Sequence, residues 1–312
     1  MKNFIYLIQG KAELISSNFQ EIKSRADADV IFLTYDKPSH GAIFFPNSTW
    51  AQGRNKLLSE ALKADKDYLY YIFLDDDIAF ETGNWDLFEK QLLKHHPAIA
   101  TPVTEKTYAS PVSIRMKGLY IPFINFQPFQ MNDEQCLAFH RDVVRDALVI
   151  PYQERFDYIC WWCSCDIQEI LIQTFYYPYT LQFNNIVIKN ELHRNYPKNN
   201  YKNDMEDWLF CQFSTSLKYP RSWKLHICPV CEFITLIRCP RPFVRTNIKR
   251  LYFLYKRLTY NKKTTYRIPE KLIQQTLKPY SDLYSQHLKQ QIKNTHTAVA
   301  VTSENQNYLC SI

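Results

Sequence analysis

Glycine is scarce in this chain, with five residues among 312. The common nucleotide-binding loops depend on glycine because a backbone without a Cβ can wrap closely around a phosphate. Neither the GxGxxG pattern nor the GxxxxGK[ST] pattern occurs in the sequence. A Rossmann dinucleotide fingerprint and a P-loop are therefore excluded, and any nucleotide must be held by another arrangement.

Long apolar runs and a leader-like N-terminus are also missing. Apolar runs extend for about eight residues between charges, whereas a helix that spans a bilayer needs about 20. The opening residues lack a sustained apolar stretch and a small-residue cleavage site, so we expect no signal peptide. The nine cysteines are an odd number, and without an export signal they indicate reduced thiols in a cytoplasmic protein.

The overall composition is that of a folded domain. Apolar residues make up 46% of the chain and charged residues 22%. This proportion gives a chain of such length ample material for a core and argues against intrinsic disorder. We therefore expect one large domain followed by an extension.

Charge divides the chain into two parts. Residues 1–200 contain 20 Lys and Arg against 24 Asp and Glu, whereas residues 201–312 contain 18 against 7. The polar, turn-rich stretch Asn195–Asp204 is the best candidate boundary. We predict a catalytic domain over residues 1–205 and a basic, mostly helical extension over 206–312, with about ten disordered residues at its end.

The first part of the chain alternates between strand and helix patterns. Phe4–Ile8, Val30–Thr34 and Leu69–Leu74 are short apolar runs typical of buried strands. Thr49 and Gln52 form a capping-box pattern that opens a helix. This alternation predicts an α/β fold with a mainly parallel sheet flanked by helices. Further predicted elements are a helix capped by Asn84 and stopped by Pro97, and strands at Ile99–Val103, Gln135–Arg141 and Leu181–Ile188.

Three aspartates, Asp75 to Asp77, follow directly after the strand at Leu69–Leu74. Ligands of parallel sheets collect at the carboxyl ends of the strands. Adjacent carboxylates repel one another, which favours a bound cation, and clustered oxygen ligands suit Mg²⁺ or Mn²⁺. The alternative is an acidic turn that only contacts solvent.

The stretch Thr49–Phe80 resembles the nucleotide-sugar-binding half of GT-A glycosyltransferases, particularly the large inverting family two. In that family a helix with an Arg-Asn pair precedes a strand that ends in a DxD motif. Arg54-Asn55 and Asp75–Asp77 match this order.

The resemblance implies a role for each matched residue. Asp75 contacts the ribose or the metal, and Asp77 is the principal metal ligand. Because the triplet makes the register ambiguous, Asp76 replaces either of them if the motif is shifted. Arg54 lies near the nucleotide or diphosphate, with Asn55 beside it, and a surface arginine on an amphipathic helix is the alternative.

A second match to the family lies downstream. Phe156-Asp157 is followed nine residues later by Asp166, at the start of a predicted helix. The family shows F-D and then E-D at this spacing, and Cys165 stands where glutamate is common. The resemblance makes Asp166 the general base, with Asp157 as the fallback. The alternative for Asp166 is a helix cap.

Three further residues fall near this second match. Trp161 and Trp162 are candidates for an acceptor platform because flat aromatic faces suit sugar rings, and core packing is the alternative. His193, 27 residues after Asp166, matches the C-terminal histidine that many GT-A enzymes place at the metal or diphosphate. An isolated surface histidine is its alternative.

Two groups of cysteines are weak candidates for metal ligands. Cys160, Cys163 and Cys165 lie close together without an obvious fourth ligand, and Cys228 and Cys231 form one CxxC. A zinc site needs four ligands, and the second half of the pattern is missing. Buried reduced thiols are the preferred interpretation of both groups.

Residues 238–267 contain ten basic residues, interleaved with aromatic and aliphatic ones, and no acidic residue. This composition favours peripheral contact with an anionic membrane surface. Single-stranded nucleic acid and a solvated face packed on the main domain are the alternatives, and we expect no nucleic acid.

These patterns and the resemblance predict a glycosyltransferase that depends on Mn²⁺ or Mg²⁺. It moves a hexosyl or related sugar from a nucleotide-diphosphate donor to a hydroxyl of a glycan or lipid-linked acceptor, by a single inverting displacement. The alternatives are a nucleotidyltransferase with the same carboxylate site and a non-catalytic protein that binds nucleic acid or membrane.

Overall fold

The computed structural model describes residues 2–64, 66–104, 124–128, 134–152, 154, 161–190, 254–255 and 257–271. The strands are β1 (Phe4–Gly10), β2 (Ala28–Thr34), β3 (Ala42–Phe44), β4 (Tyr70–Asp75), β5 (Ile78–Thr82), β6 (Ile99–Thr104), β7 (Phe126–Pro128), β8 (Cys136–His140) and β9 (Thr180–Asn190). The helices are α1 (Ala12–Asn18), α2 (Gln20–Lys23), α3 (Trp50–Lys63), α4 (Trp85–His95), α5 (Arg141–Asp146) and α6 (Trp161–Tyr176). Within these ranges no helix is both long and apolar enough to cross a bilayer.

The strands form one sheet in the order β3-β2-β1-β4-β8-β6-β9-β5, with β7 paired to β9. Parallel pairs join β1 to β2 and β4, β2 to β3, and β6 to β9. β8 runs antiparallel between β4 and β6, and β5 and β7 run antiparallel to β9. β1, β2, β3, β4, β6 and β9 therefore share one direction, which confirms the predicted α/β fold with a mainly parallel sheet.

Helices cover both faces of this sheet. Along β1, Ile5 and Leu7 join the core cluster that contains residues of α3 and α6, whereas Phe4, Tyr6 and Ile8 join the cluster that contains residues of α1, α2 and α4. Every residue of β1 is buried. A central strand between two helical layers has no solvent face, so its sequence reads as a continuous apolar run.

The two predicted helix starts are confirmed by their caps. The Thr49 hydroxyl accepts a hydrogen bond from the Gln52 N–H at 3.2 Å, and the Gln52 side chain accepts one from the Thr49 N–H at 3.0 Å. The Asn84 side-chain oxygen accepts from the Leu87 N–H at 2.8 Å. These bonds satisfy amide groups that have no partner within the helix. The first cap matters for function because α3 carries Arg54.

Residues 254–255 and 257–268, together called the strap here, pack against the sheet domain. Tyr266 is buried in the core cluster that contains α3 and α6. The Tyr266 N–H donates to Asp142 Oδ2 at 2.9 Å, and the Ile268 N–H donates to Asp146 Oδ2 at 3.0 Å. The carboxylates of α5 thus accept hydrogen bonds from backbone N–H groups that, in a helix, would bond to carbonyl groups of the same helix.

This bonding explains a difference from the sequence prediction. The extension is helical at 254–255 and 257–258, but residues 259–269 are not helical. The predicted boundary at residue 205 and the predicted disordered end lie outside the described residues.

The cysteines whose side chains are described, Cys136 and Cys165, are reduced and buried. Burial raises the pKa of the Cys136 thiol far above its ordinary value. A protonated, buried thiol is a small apolar group and is unreactive. This confirms the buried-thiol interpretation for Cys165, while the side chains of the other cysteines in the two groups lie outside the described residues.

Asp146 lies beneath the strap, where 6% of the residue is exposed. Burial raises its pKa to about 6, and this outweighs the opposite effects of the Ile268 amide, Arg267 and the Tyr176 hydroxyl. The folded chain therefore holds the proton of this carboxyl group more tightly than the unfolded chain does. The group's contribution to stability is fully present below the ordinary value of 3.8 and is lost as the pH rises through about 6.

Asp146→Asn removes this titration and keeps an oxygen that accepts the Ile268 N–H. We expect the difference in unfolding free energy, wild type minus variant, to decrease as the pH rises from 3.8 to about 6 and then to level off. Urea unfolding at a series of pH values measures this difference. Tyr176→Phe is the control, because it removes one hydrogen bond to the same carboxylate and leaves the titration in place. A difference that stays constant for Asp146→Asn across this range contradicts the assignment.

Candidate active site

The three aspartates occupy the carboxyl end of β4. Asp75 is the last residue of the strand, and Asp76 and Asp77 form the turn that leads to β5 at Ile78. Asp76 and Asp77 are each 6% exposed. The alternative of an acidic turn that only contacts solvent is therefore wrong. Burial of neighbouring carboxylates is costly unless positive charge or hydrogen-bond donors compensate.

Arg54 supplies the compensation for Asp75. Its Nη2 atom lies 2.6 Å from Asp75 Oδ1 and donates to the Glu134 carbonyl oxygen at 2.8 Å. The guanidinium group is wholly buried, and Asp75 keeps 19% of its side chain exposed. The ion pair thus joins a buried cation in α3 to a partly exposed anion at the sheet edge.

Aromatic rings surround the Arg54 guanidinium. Its Cζ atom lies 4.4 Å from the ring centroid of Trp50, 5.5 Å from that of Phe73 and 5.8 Å from that of Tyr152. A cation gains electrostatic stabilisation from ring faces at these distances. The rings also exclude water from the ion pair, which strengthens it.

The Arg54 guanidinium stays charged in this enclosure. Burial by itself lowers the pKa of Arg54, but Tyr152, Asp75 and Glu134 raise it, and the net direction is upward. Because no part of the group is exposed, Arg54 cannot touch a bound nucleotide in this conformation. In this conformation Arg54 acts through Asp75, whose position and charge it fixes, and its place near the nucleotide or diphosphate stays a prediction.

Asp76 connects β4 to the neighbouring strand β1. Its Oδ2 atom accepts a hydrogen bond from the Lys11 N–H at 2.6 Å. Gly10, the last residue of β1, lies so close that an added Cβ would overlap the Asp76 side chain. This glycine is therefore required by the close approach of the two strand ends. Asp76 thus links the ends of β1 and β4. Asp75 and Asp77 remain the better candidates for contact with a ligand.

Asn55 fixes a loop instead of facing the carboxylates. Its amide oxygen accepts from the Tyr152 N–H at 2.7 Å, and its amide nitrogen donates to the Tyr152 carbonyl at 2.9 Å. The same nitrogen donates to Glu154 Oε1 at 2.6 Å. These contacts of Asn55 hold Tyr152 against Arg54, and a role of Asn55 in nucleotide binding stays a prediction.

Two residues of this network carry no signal in the sequence. The Tyr152 hydroxyl donates to Glu134 Oε2 at 3.1 Å, and its ring packs edge-on against Trp50 with centroids 4.9 Å apart. Tyr152 is 97 residues from the asparagine that holds it. No local pattern predicts a contact over such a distance.

Asp36 is a further carboxylate at the carboxyl ends of the parallel strands, beyond β2. It lies two residues beyond the end of β2, is exposed, and accepts a hydrogen bond from the Ala12 N–H at 2.9 Å. Burial raises the pKa of Asp36, but the N–H groups of Ala12, Lys37 and Asp36 itself lower it, and the net direction is downward. A carboxylate shortly after a predicted strand is the signal that could have identified it.

The downstream candidates are placed only in part. Asp157 and His193 lie outside the described residues, as do the side chains of Trp161, Trp162 and Asp166. Their backbones belong to α6, which begins at Trp161. Asp166 is therefore an interior residue of the helix, and both its predicted position at the helix start and the alternative of a cap are wrong. The residues before Asp166, from Trp161 to Cys165, already have helical backbone.

The described carboxylates suit a metal that arrives with its substrate. Among the described residues, no group of three or more His, Cys, Asp and Glu side chains is placed to share a metal ion. Mg²⁺ and Mn²⁺ sites in phosphate-transferring proteins use one or two carboxylates, completed by phosphate oxygens and water. Asp75 and Asp77 supply that number of oxygen ligands, and they fit such a shared site.

Arg54→Met tests the buried ion pair, since it keeps an unbranched side chain in the aromatic enclosure and removes the charge. We expect the free energy of unfolding to fall by about 3 kcal/mol or more, because Asp75 loses its ion pair with a buried cation. In a double-mutant cycle with Asp75→Asn, the combined cost should be smaller than the sum of the single costs by about 1 to 3 kcal/mol. Urea unfolding gives all four values. Strictly additive costs contradict the proposed coupling.

Gly10→Ala tests the contact between the ends of β1 and β4. We expect it to lower the unfolding free energy by about 1 to 3 kcal/mol, because the new methyl group overlaps Asp76. In an Asp76→Gly background the added cost should be smaller, since the overlapping side chain is gone. Thermal unfolding of the four proteins measures both costs. An equal cost in the two backgrounds contradicts the close approach.

Comparisons with known proteins give a remote structural likeness only. No family model and no curated protein matches the sequence. The chain is similar to S. aureus TarS in complex with UDP-GlcNAc, with 7% identity, a TM-score of 0.46, and coverage of 96% of this chain and 88% of the other. The complex of TarS with UDP has 7% identity and a TM-score of 0.44, with the same coverage. A197 from STIV has 12% identity and a TM-score of 0.35, with coverage of 60% of this chain and 83% of the other. The activity of the chain has to be inferred from its own site.

Proposed function

We propose that this protein is a metal-dependent glycosyltransferase that uses a nucleotide-diphosphate sugar as donor. The observation that carries the proposal is the carboxylate edge at the end of β4. Asp76 and Asp77 are 6% exposed there, and Asp75 is held by the buried Arg54. Such an arrangement costs folding energy, and sites that bear this cost are commonly functional.

The charge of the edge favours a metal-bound donor over a free anion. Arg54 neutralises one carboxylate, and Asp76 uses one oxygen on the Lys11 amide. A diphosphate approaching the remaining negative charge is repelled unless a divalent cation lies between them. Mn²⁺ or Mg²⁺ held by Asp75 and Asp77, with His193 as the further expected ligand, would neutralise the diphosphate leaving group.

The nucleoside is expected to lie along the ends of β1 and β2. Asp75 pairs in register with Gln9 of β1, and Asp36 follows β2 at the same edge of the sheet. Carboxylates accept hydrogen bonds from ribose hydroxyls and from base N–H groups. The partly exposed oxygens of Asp75 are suited to the ribose, as the family resemblance implies.

The acceptor is expected to bind on the side of α6. Leu171 and Ile172 of this helix share a core cluster with Leu57 and Leu58 of α3, the helix that carries Arg54. We propose that Asp166 takes the proton of the acceptor hydroxyl, with Asp157 as the alternative base. The hydroxyl oxygen bonds to the anomeric carbon while the bond to the diphosphate breaks, and its electron pair leaves with the nucleoside diphosphate. The configuration at that carbon is inverted.

The acceptor is a glycan or a lipid-linked saccharide in this proposal. Trp161 and Trp162 open α6, and either ring would offer a flat apolar face to a sugar. Adjacent helical residues point in directions about 100° apart, so we expect one of the two to serve as the platform.

The first test is thermal unfolding of the full chain with UDP, GDP, CMP or a nucleoside triphosphate, each with and without Mn²⁺. We expect stabilisation by one nucleoside diphosphate only when Mn²⁺ is present. Asp77→Asn should abolish this stabilisation. Asp166→Asn should preserve it and lower turnover of a nucleotide-sugar donor by about a hundredfold or more, measured as release of free nucleotide.

Glu81→Gln is the matched control, since Glu81 is an exposed carboxylate on the strand that follows the aspartates. It should leave both the stabilisation and the turnover unchanged. Stabilisation by a nucleoside triphosphate alone, with nucleotide transfer to an acceptor, would favour the nucleotidyltransferase. Absence of any metal-dependent nucleotide effect in the wild type overturns the proposal.

A further inference from the structure

We propose that the strap and the end of α4 form a docking surface for an anionic lipid bilayer. The surface comprises Leu93 and Lys94 of α4, Tyr255 and Leu258 of the helical turn at the start of the strap, and Arg257, Lys262 and Lys263. It goes beyond the proposed function and does not depend on it, because it lies away from the carboxylate edge.

The surface lies at the amino ends of the parallel strands, whereas the aspartates lie at the carboxyl end of β4. The Tyr260 hydroxyl donates to the His95 carbonyl at 2.9 Å, just before β6 begins. The Tyr266 N–H bonds to Asp142, which follows the end of β8. That end of β8 pairs with Tyr70, the first residue of β4. A strand rises about 3.3 Å per residue, so the two ends are separated by roughly 17 Å along β4.

Positive charge collects where the strap meets α4. Lys94, Arg257 and Lys262 all act on His95, and with burial as the largest cause they lower its pKa to about 4. Lys262 and Arg141 act in the same direction on His96. Lys263 lies over the Tyr179 ring at 4.2 Å from its centroid. The basic groups that act on the two histidines therefore make the field there positive.

Exposed apolar side chains accompany this charge. Four large apolar residues are exposed within the described ranges, and three of them belong to the two elements that meet at His95: Leu93 at 39%, Tyr255 at 58% and Leu258 at 73%. Tyr255 and Leu258 are three residues apart in a helical turn, so they share a face. Apolar side chains rimmed by lysine and arginine suit the boundary between headgroups and acyl chains.

The strap holds this surface in place through specific contacts. Tyr260 and Tyr266 donate hydroxyl hydrogen bonds to the carbonyl groups of His95 and His96. Arg257 lies over the Phe126 ring at 5.4 Å from its centroid. These contacts fix one side of the strap, while Leu258, Lys262 and Lys263 are exposed.

The exposed groups favour lipid over nucleic acid. Single-stranded nucleic acid is bound by rows of exposed aromatic rings that stack on the bases. Within the described ranges, the exposed large apolar side chains of this surface are one aromatic ring, Tyr255, and two aliphatic groups, Leu93 and Leu258. Aliphatic side chains gain free energy by insertion among acyl chains and cannot stack on bases. Each lysine or arginine adds electrostatic attraction to an anionic surface.

The experiment is co-sedimentation of the full chain with vesicles of phosphatidylcholine alone or with about 30% phosphatidylglycerol. We expect binding to the anionic vesicles only, and a loss of binding as salt is raised. Lys262→Gln with Lys263→Gln should weaken binding about tenfold or more. Leu93→Gln with Leu258→Gln should weaken it by a similar factor, because the inserted area is lost.

Matched controls exist elsewhere on the molecule. Lys56→Gln with Lys63→Gln removes the same charge from the outer side of α3. Phe44→Gln removes an exposed apolar group, 41% exposed, from the far edge strand β3. Both controls should bind vesicles as the wild type does, and thermal unfolding should show every variant folded.

Three results would overturn the inference. The first is equal binding of the protein to neutral and anionic vesicles. The second is a loss of vesicle binding that is as large in the controls as in the surface variants. The third is binding to polyuridylate without binding to vesicles. The metal-dependent nucleotide effect is measured without vesicles, so failure of either proposal leaves the other to be judged separately.

Discussion

The ion pair between Arg54 and Asp75 is the constraint on which the candidate site depends. Three adjacent aspartates at a strand end would repel one another and turn outward unless one of them were neutralised from within. Arg54 does this from a fully buried position, enclosed by aromatic rings and bonded to the Glu134 carbonyl. The cap at Thr49 sets where α3 begins, and that places Arg54 beneath the end of β4.

The two ends of the sheet carry opposite charge. The carboxyl ends of the parallel strands bring together Asp36 and the three aspartates, whereas the amino ends meet the basic strap. In the proposed function, this separation keeps the basic groups of the strap away from the anionic donor, which they would otherwise bind unselectively. An enzyme held to a bilayer by the basic end would present its carboxylate edge away from that surface, on the side from which a water-soluble donor arrives.

Much of the fold follows from local patterns in the sequence. The buried strands read as apolar runs, and Thr49 and Asn84 cap the predicted helices. The aspartate edge was also predicted, because it directly follows such a strand. Contacts between distant segments left no local signal: Tyr152 beside Arg54, Glu134 beneath Tyr152, and the strap on the carboxylates of α5. The start of α6 was placed too late because Asp166 is a typical cap residue and was read as the start, whereas the helical backbone already begins at Trp161.

The central claim is that Asp75 and Asp77 bind a divalent ion together with a nucleoside diphosphate. Electron paramagnetic resonance of free Mn²⁺, titrated with the full chain, tests it most directly. The account predicts weak Mn²⁺ binding by the protein alone and binding at least tenfold tighter in the presence of the matching nucleoside diphosphate, above that of the nucleotide alone, since metal and nucleotide complete one site. Mn²⁺ affinity that no nucleoside diphosphate changes would contradict it.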